Sequence, residues 1–288
     1  MFSYLSYLAA LIASLVLAIY ALTKRELTET GTVAAIMAGA TVFAFGGWVW
    51  FALMFFFFVS SSAFTHYKEK AKKKVAREFD KGGVRDFWQV AANGLAPAGC
   101  ALLYALNPSP AFFAAFAAAV AAVNADTWAT ELGVLAESKP RLLTTLRRVP
   151  KGTSGAVSSL GLGVALGGSL FVALSAASLA WLNNYFAPLL AASPLAQLFP
   201  VQPAAGLAFV LVVTVAGVTG SLVDSILGAL VQRMHWCPKC RKLTEREVHT
   251  CGTRTEFRQG LRWVDNDVVN FLSAVAAAAT AVGLTAAL

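Results

Sequence analysis

The stretch Asn124-Ala-Asp126-Thr127-Trp128-Ala-Thr130-Glu131 closes a long run of Ala, Phe and Val. A carboxylate at the middle of a membrane-spanning helix costs on the order of 3 kcal/mol even on the lenient insertion scale, so it needs a compensating partner or a task. Of the 15 acidic residues, only Asp126, Glu131 and Asp224 fall inside the apolar segments delimited below, with Asp267 at a boundary. No Lys or Arg falls inside those segments, so the sequence predicts a bound cation as counter-charge. A proton is the alternative, and would turn the acids into a transporter-like relay. Carboxylate and amide oxygens are hard ligands that suit Mg²⁺, which completes its shell with water and phosphate oxygens.

An anion site is suggested by Pro150-Lys151-Gly152-Thr153-Ser154-Gly155-Ala156-Val157-Ser158, which follows Arg147 and Arg148. Glycines let backbone N–H groups turn toward an anion, a helix start adds positive partial charge, and Ser or Thr can donate or cap. The stretch lacks the full P-loop pattern, so an ordinary Gly/Ser helix start stays open beside it. Gly217-Val-Thr-Gly220-Ser221-Leu-Val-Asp224-Ser225-Ile-Leu-Gly228 is a second small-residue run, which would bring a ligand or another helix close to the backbone around Asp224.

Cys237-Pro-Lys-Cys240, followed by His249-Thr-Cys251, makes a Cys₃His set suited to tetrahedral zinc. Four ligands leave no open position, so such a zinc is structural and would fold the loop carrying Arg254, Arg258 and Arg262 over the site. Free or redox-active thiols are the alternative. Cys100 stands alone and reads as a small packing residue.

The elements that must position these groups are membrane helices. The chain of 288 residues is 58% hydrophobic and 13% charged, against about 25% charged in a soluble domain, which defines an integral membrane protein. Segments of roughly 20 apolar residues, with about 17 as the lower limit, are expected at 2–23, 30–46, 48–65, 88–106, 111–134, 156–182, 204–232 and 267–287. The second and third are parted by Gly46-Gly47, where a hairpin is expected. The predicted fold is therefore all-α: a single integral membrane domain over residues 1–288, a bundle of about eight spans, with a cytoplasmic Cys/His loop at 233–266.

All 23 Lys and Arg residues fall in four clusters, at 24–25, 68–85, 139–151 and 233–262, on every second connection. The positive-inside rule makes those connections cytoplasmic and puts both termini outside, in the cell (inner) membrane. The net charge of +8 thus belongs to membrane topology and not to nucleic acid. The first segment lacks a basic n-region and a cleavage motif and reads as a retained helix. Lys70, Lys72, Lys73 and Lys74 read as an anchor on anionic headgroups. With this topology Asp126, Glu131, Asp224 and Asp267 share the cytoplasmic half of the bilayer. Helical spacing then places Asn124 with Glu131, Asp126 with Thr130, Arg85 with Gln89 and Asn93, and Asp267 with Asn270 in rows that face a bundle interior or bond helix to helix.

The ordered motifs Gly82-Gly83-Val-Arg85-Asp86-Phe-Trp-Gln89-Val-Ala-Ala-Asn93-Gly94, Asn124-Ala-Asp126-Thr127-Trp128-Ala-Thr-Glu131-Leu-Gly133, Gly152-Thr153-Ser-Gly155-Ala-Val-Ser158, Gly220-Ser221-Leu-Val-Asp224-Ser225 and Asp265-Asn266-Asp267-Val-Val-Asn270 span nearly the whole chain. In them the chain resembles the integral membrane domain-of-unknown-function family ninety-two, which takes in transmembrane protein 19 and the phytyl-phosphate kinases of tocopherol salvage. The resemblance implies phosphorylation of an isoprenoid monophosphate to the diphosphate, with a nucleoside triphosphate, CTP among them, as donor. On that expectation Asp126, Glu131 and Asp224 bind Mg²⁺ and are catalytic, and Arg85, Lys151, Gly152, Thr153 and Ser154 bind phosphate. Asn93, Asn124, Ser221, Asp267 and Asn270 shape the substrate site. The expected partners are the isoprenoid phosphate, the nucleotide and the bilayer. A transporter or flippase of an anionic lipid or small metabolite is the main alternative. It would need polar pathway residues on both sides, whereas the expected outer half is almost wholly apolar.

Overall fold

A computed structural model describes residues 4–67, 84–191 and 201–288. The lysine anchor expected at 70–74, Gly82 and Gly83, and much of the expected outer loop lie outside the described residues. Among those described there are eight α-helices: α1 (Tyr4–Thr23), α2 (Glu29–Gly46), α3 (Trp48–His66), α4 (Phe87–Leu106), α5 (Pro110–Gly133), α6 (Ser159–Phe186), α7 (Leu207–Leu230) and α8 (Asn266–Ala287). Helices α2 to α8 are long and apolar enough to cross a membrane, and α1 contributes a shorter apolar stretch, Tyr7–Thr23. The chain is an integral membrane helix bundle.

Helix α5 is its axis. Phe113 to Ala125 are buried without a break, as befits a helix that is apolar all round, and α3, α4, α6, α7 and α8 pack around it. Its many alanines let neighbours approach closely, since packing and not water exclusion joins helices in lipid. Helix α7 meets α5 at Gly217 and Gly220, where a Cβ would lie 2.7 Å from that of Ala121 and 2.5 Å from that of Ala122. The largest apolar cluster gathers Trp50, Phe113 and Phe116 with Val42, Leu53 and Val172, with the Trp50 and Phe116 ring centroids 4.4 Å apart.

Gly47 has φ 86° and separates α2 from α3. Glu26, just before α2, meets His66 at the end of α3 through a 2.7 Å contact, so the two helices run antiparallel as the expected hairpin. Helix α6 starts at Ser159, three residues beyond the expected 156, because β2 (Ala156–Val157) first pairs with β1 (Arg141–Leu142). Ser158 then caps α6 by accepting from Gly161 N at 3.0 Å. The Cys/His loop is a small antiparallel sheet in the order β4 (Lys242–Thr244), β3 (Met234–Cys237), β5 (Glu256–Gln259).

The opposite end of the bundle carries a polar clamp that sequence reasoning missed. Trp48 Nε1 donates to Asn183 Oδ1 at 2.6 Å, and Trp50 Nε1 donates to Gln202 Oε1 at 2.9 Å. Buried polar groups in hydrocarbon must satisfy one another, and these four side chains do so.

Candidate functional site

A cavity of about 590 Å³ opens at the end of the bundle where the described basic clusters lie, within the usual range of small-molecule sites. Helices α3 to α8, the loop 152–155 and the Cys/His module all contribute walls. Of the residues expected from the sequence, Asp126, Glu131, Asp224, Asp267, Asn93 and Asn270 line it, as do Arg85, Lys151, Gly152, Thr153, Ser154 and Ser221.

Asp126 and Asp224 come from α5 and α7 and lie near enough for their charges to interact. Asp224 also interacts with Ser273 of α8 and feels the charge of Glu245. One Asp224 oxygen, Oδ2, is buried without a hydrogen-bond donor, and so is Oδ1 of Asn93 on α4. Bare buried acceptors are costly unless something positive satisfies them. A hard cation with oxygen ligands fits this set of groups.

The expectation that no basic side chain neutralises the intramembrane acids fails for Glu131. Its carboxylate lies in the field of Arg85 and accepts from Thr65 Oγ1 at 3.0 Å. Arg85 is itself built in. Its N–H donates to Glu26 O, its carbonyl accepts from Thr28 N, and its Nη1 donates to Ser62 Oγ at 3.1 Å. Gly31 makes room for that strand-like contact, since a Cβ there would lie 2.3 Å from Arg85 O. Burial pulls the Arg85 pKa down, and the negative charges of Glu26 and Glu131 pull it back up. The guanidinium stays charged, because its reference value is so high.

Three further expectations need correction. Asn124 does not line the cavity: it is fully buried, donates to Gly168 O at 2.9 Å and accepts from Ser60 at 3.1 Å, tying α5 to α6 and α3. Lys151 is at the cavity wall, but its ammonium donates to the carbonyls of Ala136 and, at 3.3 Å, Val134. It sits at the negative end of the α5 dipole, with one donor left. The loop 152–155 is not the start of α6, whose first turn is closed by the Ser158 hydroxyl. It is instead a turn held against the end of α7, where Ser154 donates to Gln232 at 2.5 Å and Gln232 donates to Glu245 at 2.8 Å.

Arg254, Arg258 and Arg262 do not line the cavity. The cationic rim is Arg25, Arg85, Lys151 and Arg233, together with His66 from α3. Arg25, His66 and Gln232 lie at or just past helix ends with no motif around them, whereas Arg233 and Glu245 lie in the Cys/His loop without being among its ligands. The signal that could have found them is their position at the basic ends of predicted spans and, for Glu245, its place between Cys240 and His249.

Beside the cavity, the ligand atoms of Cys237, Cys240, His249 and Cys251 lie within 4.8 Å of one another. The Cys237 and Cys251 sulfurs are 3.7 Å apart, close to the edge of a tetrahedron with Zn–S bonds of about 2.3 Å. Hydrogen bonds with Thr253 and then His249 hold the Cys251 thiol down to about 5. Cys240 is pushed up to about 11, chiefly by its hydrogen bond with Cys251. The group could hold a metal such as zinc.

Fold and cavity together define a polytopic helical membrane protein whose convergent acids, amides and cations gather at one end. The chain belongs to the family described as integral membrane protein DUF92, whose pattern matches residues 12–278. It is similar to Protein PGR of Arabidopsis thaliana, with 31% identity over 92% of this chain and 91% of that protein. An uncharacterized membrane protein of Methanocaldococcus jannaschii is 30% identical over 76% of this chain and 80% of its own length. One from a Synechocystis strain is 32% identical over 52% of this chain and 60% of its own. No solved structure matches.

Proposed function

We propose that the protein is a prenyl monophosphate kinase, taking a phytyl-like lipid phosphate to its diphosphate at the expense of a nucleoside triphosphate, with CTP the donor implied by the family resemblance. The observation that carries this is the pairing of Asp126 with an Asp224 whose Oδ2 lacks a donor, inside a cavity rimmed by Arg85, Arg233 and Lys151. By the positive-inside rule this end faces the cytoplasm, where nucleotides are, and both termini lie outside.

A phosphate oxygen of the lipid forms the new bond to the γ-phosphorus while the bond from that phosphorus to the β,γ-bridging oxygen breaks, releasing the nucleoside diphosphate. The acceptor is already an anion, so no separate base is required. Phosphoryl transfer asks mainly for positioning and neutralisation of charge. Asp126 and Asp224 would hold Mg²⁺, which when bound neutralises the phosphates. Arg85, oriented by Glu131, Ser62 and Glu26, takes the lipid phosphate. Arg233, the remaining donor of Lys151 and the turn 152–155 take the nucleotide phosphates. Asn93, Asp267 and Asn270 shape the wall between them.

Purified protein given Mg²⁺, CTP and phytyl monophosphate should form phytyl diphosphate. Failure with every nucleoside triphosphate and prenyl length, in protein shown to be folded, would refute the kinase. Uptake of a lipid phosphate across vesicles without turnover would establish the transporter instead.

A further inference from the structure

A second cavity, of about 120 Å³, lies between α1, α2, α3 and α4. Apart from Ser14, Arg85 and Asn93, every residue lining it is apolar or glycine, Leu17, Ala35, Met54 and Phe57 among them. Arg85 and Asn93 also line the large polar cavity, so the two spaces meet at this pair of side chains. The Arg85 guanidinium stands 5.4 Å from the ring centroid of Phe58, and Phe58 belongs to the apolar wall. One cation thus separates an apolar recess from a site of acids and amides.

We infer that this recess binds the first isoprene unit of the lipid phosphate, with Arg85 at its mouth on the phosphate group. The inference rests on the kinase reading and adds to it where the hydrocarbon goes. Size supports one unit. An apolar cavity of about 150 Å³ admits benzene, with six carbons, and the recess is slightly smaller. The rest of the tail passes out between helices into the bilayer, which is as apolar as any protein pocket could be. Recognition of the hydrocarbon is therefore concentrated at the phosphate-proximal unit, which prenyl phosphates of different length share. In the polar cavity Asp126, Asp224, Asp267 and Asn270 offer hydrocarbon nothing, and its apolar lining residues Leu162, Ala165 and Leu222 belong to α6 and α7, neither of which lines the recess that Arg85 and Asn93 share.

The test needs no turnover. Binding of phytyl monophosphate and of methyl phosphate, which has the same head and no tail, is measured by calorimetry in detergent with Mg²⁺ and no nucleotide. The wild type should prefer phytyl monophosphate. In Ala35→Phe, a ring from α2 fills the recess, and that preference should fall about tenfold or more, the loss expected from displacing roughly two methylenes. A phytyl monophosphate carrying a diazirine on its first isoprene unit should label α1 to α4 of the wild type, which makes the outcome independent of whether the variant folds. Labelling on α6 or α7, or an unchanged preference in folded Ala35→Phe, would overturn the recess and leave the polar site standing. Binding of neither ligand by folded wild-type protein would overturn both.

Discussion

Replacing Gly155 by Ala puts the geometry of the turn 152–155, proposed to take the nucleotide phosphates, under direct strain. Gly155 has φ +73°, and an added Cβ would lie 2.3 Å from Ser225 O and 2.5 Å from Ala229 N on α7. The left-handed backbone by itself costs an L-residue roughly 1–2 kcal/mol. Contact with two backbone atoms of a packed helix has no flexible side chain to absorb it, so the loop must retreat by about 1 Å to reach ordinary contact distance. A displacement of that size in groups that position reactants costs about a hundredfold in rate. The Ser154 to Gln232 hydrogen bond would break with it. The variant should therefore show turnover of phytyl monophosphate with CTP reduced about a hundredfold, and a lower midpoint in a thermal unfolding scan. Gly163→Ala is the control: nothing lies within 4 Å of its added Cβ, and it should be active and stabilised by about 0.5–1 kcal/mol, the usual helical gain over glycine. Turnover of Gly155→Ala within twofold of wild type would refute the placement of this loop at the reacting phosphates.

Asp224→Asn keeps the shape of the side chain and removes its charge, so Mg²⁺ should protect the variant against heat far less than it protects the wild type, with turnover lost; undiminished protection would remove Asp224 from the metal site. Cys237→Ser should lose about one zinc per chain in metal analysis, while a zinc-free wild type with an ordered loop would show that the thiols serve otherwise. With Cys251 held down to about 5 before any metal binds, and a bound ion resisting protonation of the sulfur further still, metal should be retained at least down to about pH 5 and released only below it; loss of metal already at about pH 7 would contradict this. Trp50→Phe removes the hydrogen bond that Trp50 Nε1 donates to the Gln202 amide oxygen, which should destabilise the bundle by about 0.5–1.5 kcal/mol; an unchanged unfolding midpoint would show that this clamp is not needed.

How much was legible varies with the kind of residue. The spans were readable because hydrocarbon thickness demands about 20 apolar residues whatever the partners are, and the predicted bounds of the fourth segment, 88–106, differ from Phe87–Leu106 by one residue. The Gly46-Gly47 break was readable because one crossing cannot hold both runs. Asp126 and Asp224 were found by the cost of burying charge, which needs no knowledge of neighbours. Spacing along α5 could not tell that Asn124 turns to Gly168 and Ser60 while Asp126 faces the cavity. Nor could it show that Arg85, brought in from another connection, already answers Glu131.

The local chemistry of the chain thus determined that it crosses a membrane about eight times, that its basic connections alternate, that four Cys and His residues can meet one ion, and that a few acids in hydrocarbon must be satisfied. Those conclusions follow from solvation, which acts on each segment separately. Only the tertiary structure decided which acids face one another, that Gln232 links Ser154 to Glu245 of the Cys/His module, and that an apolar recess adjoins the polar cavity at Arg85 and Asn93. These depend on how five helices rotate around α5 and how their connections fold back, and in lipid that is settled by close packing of small residues, whose pattern along α5 is nearly the same on every side.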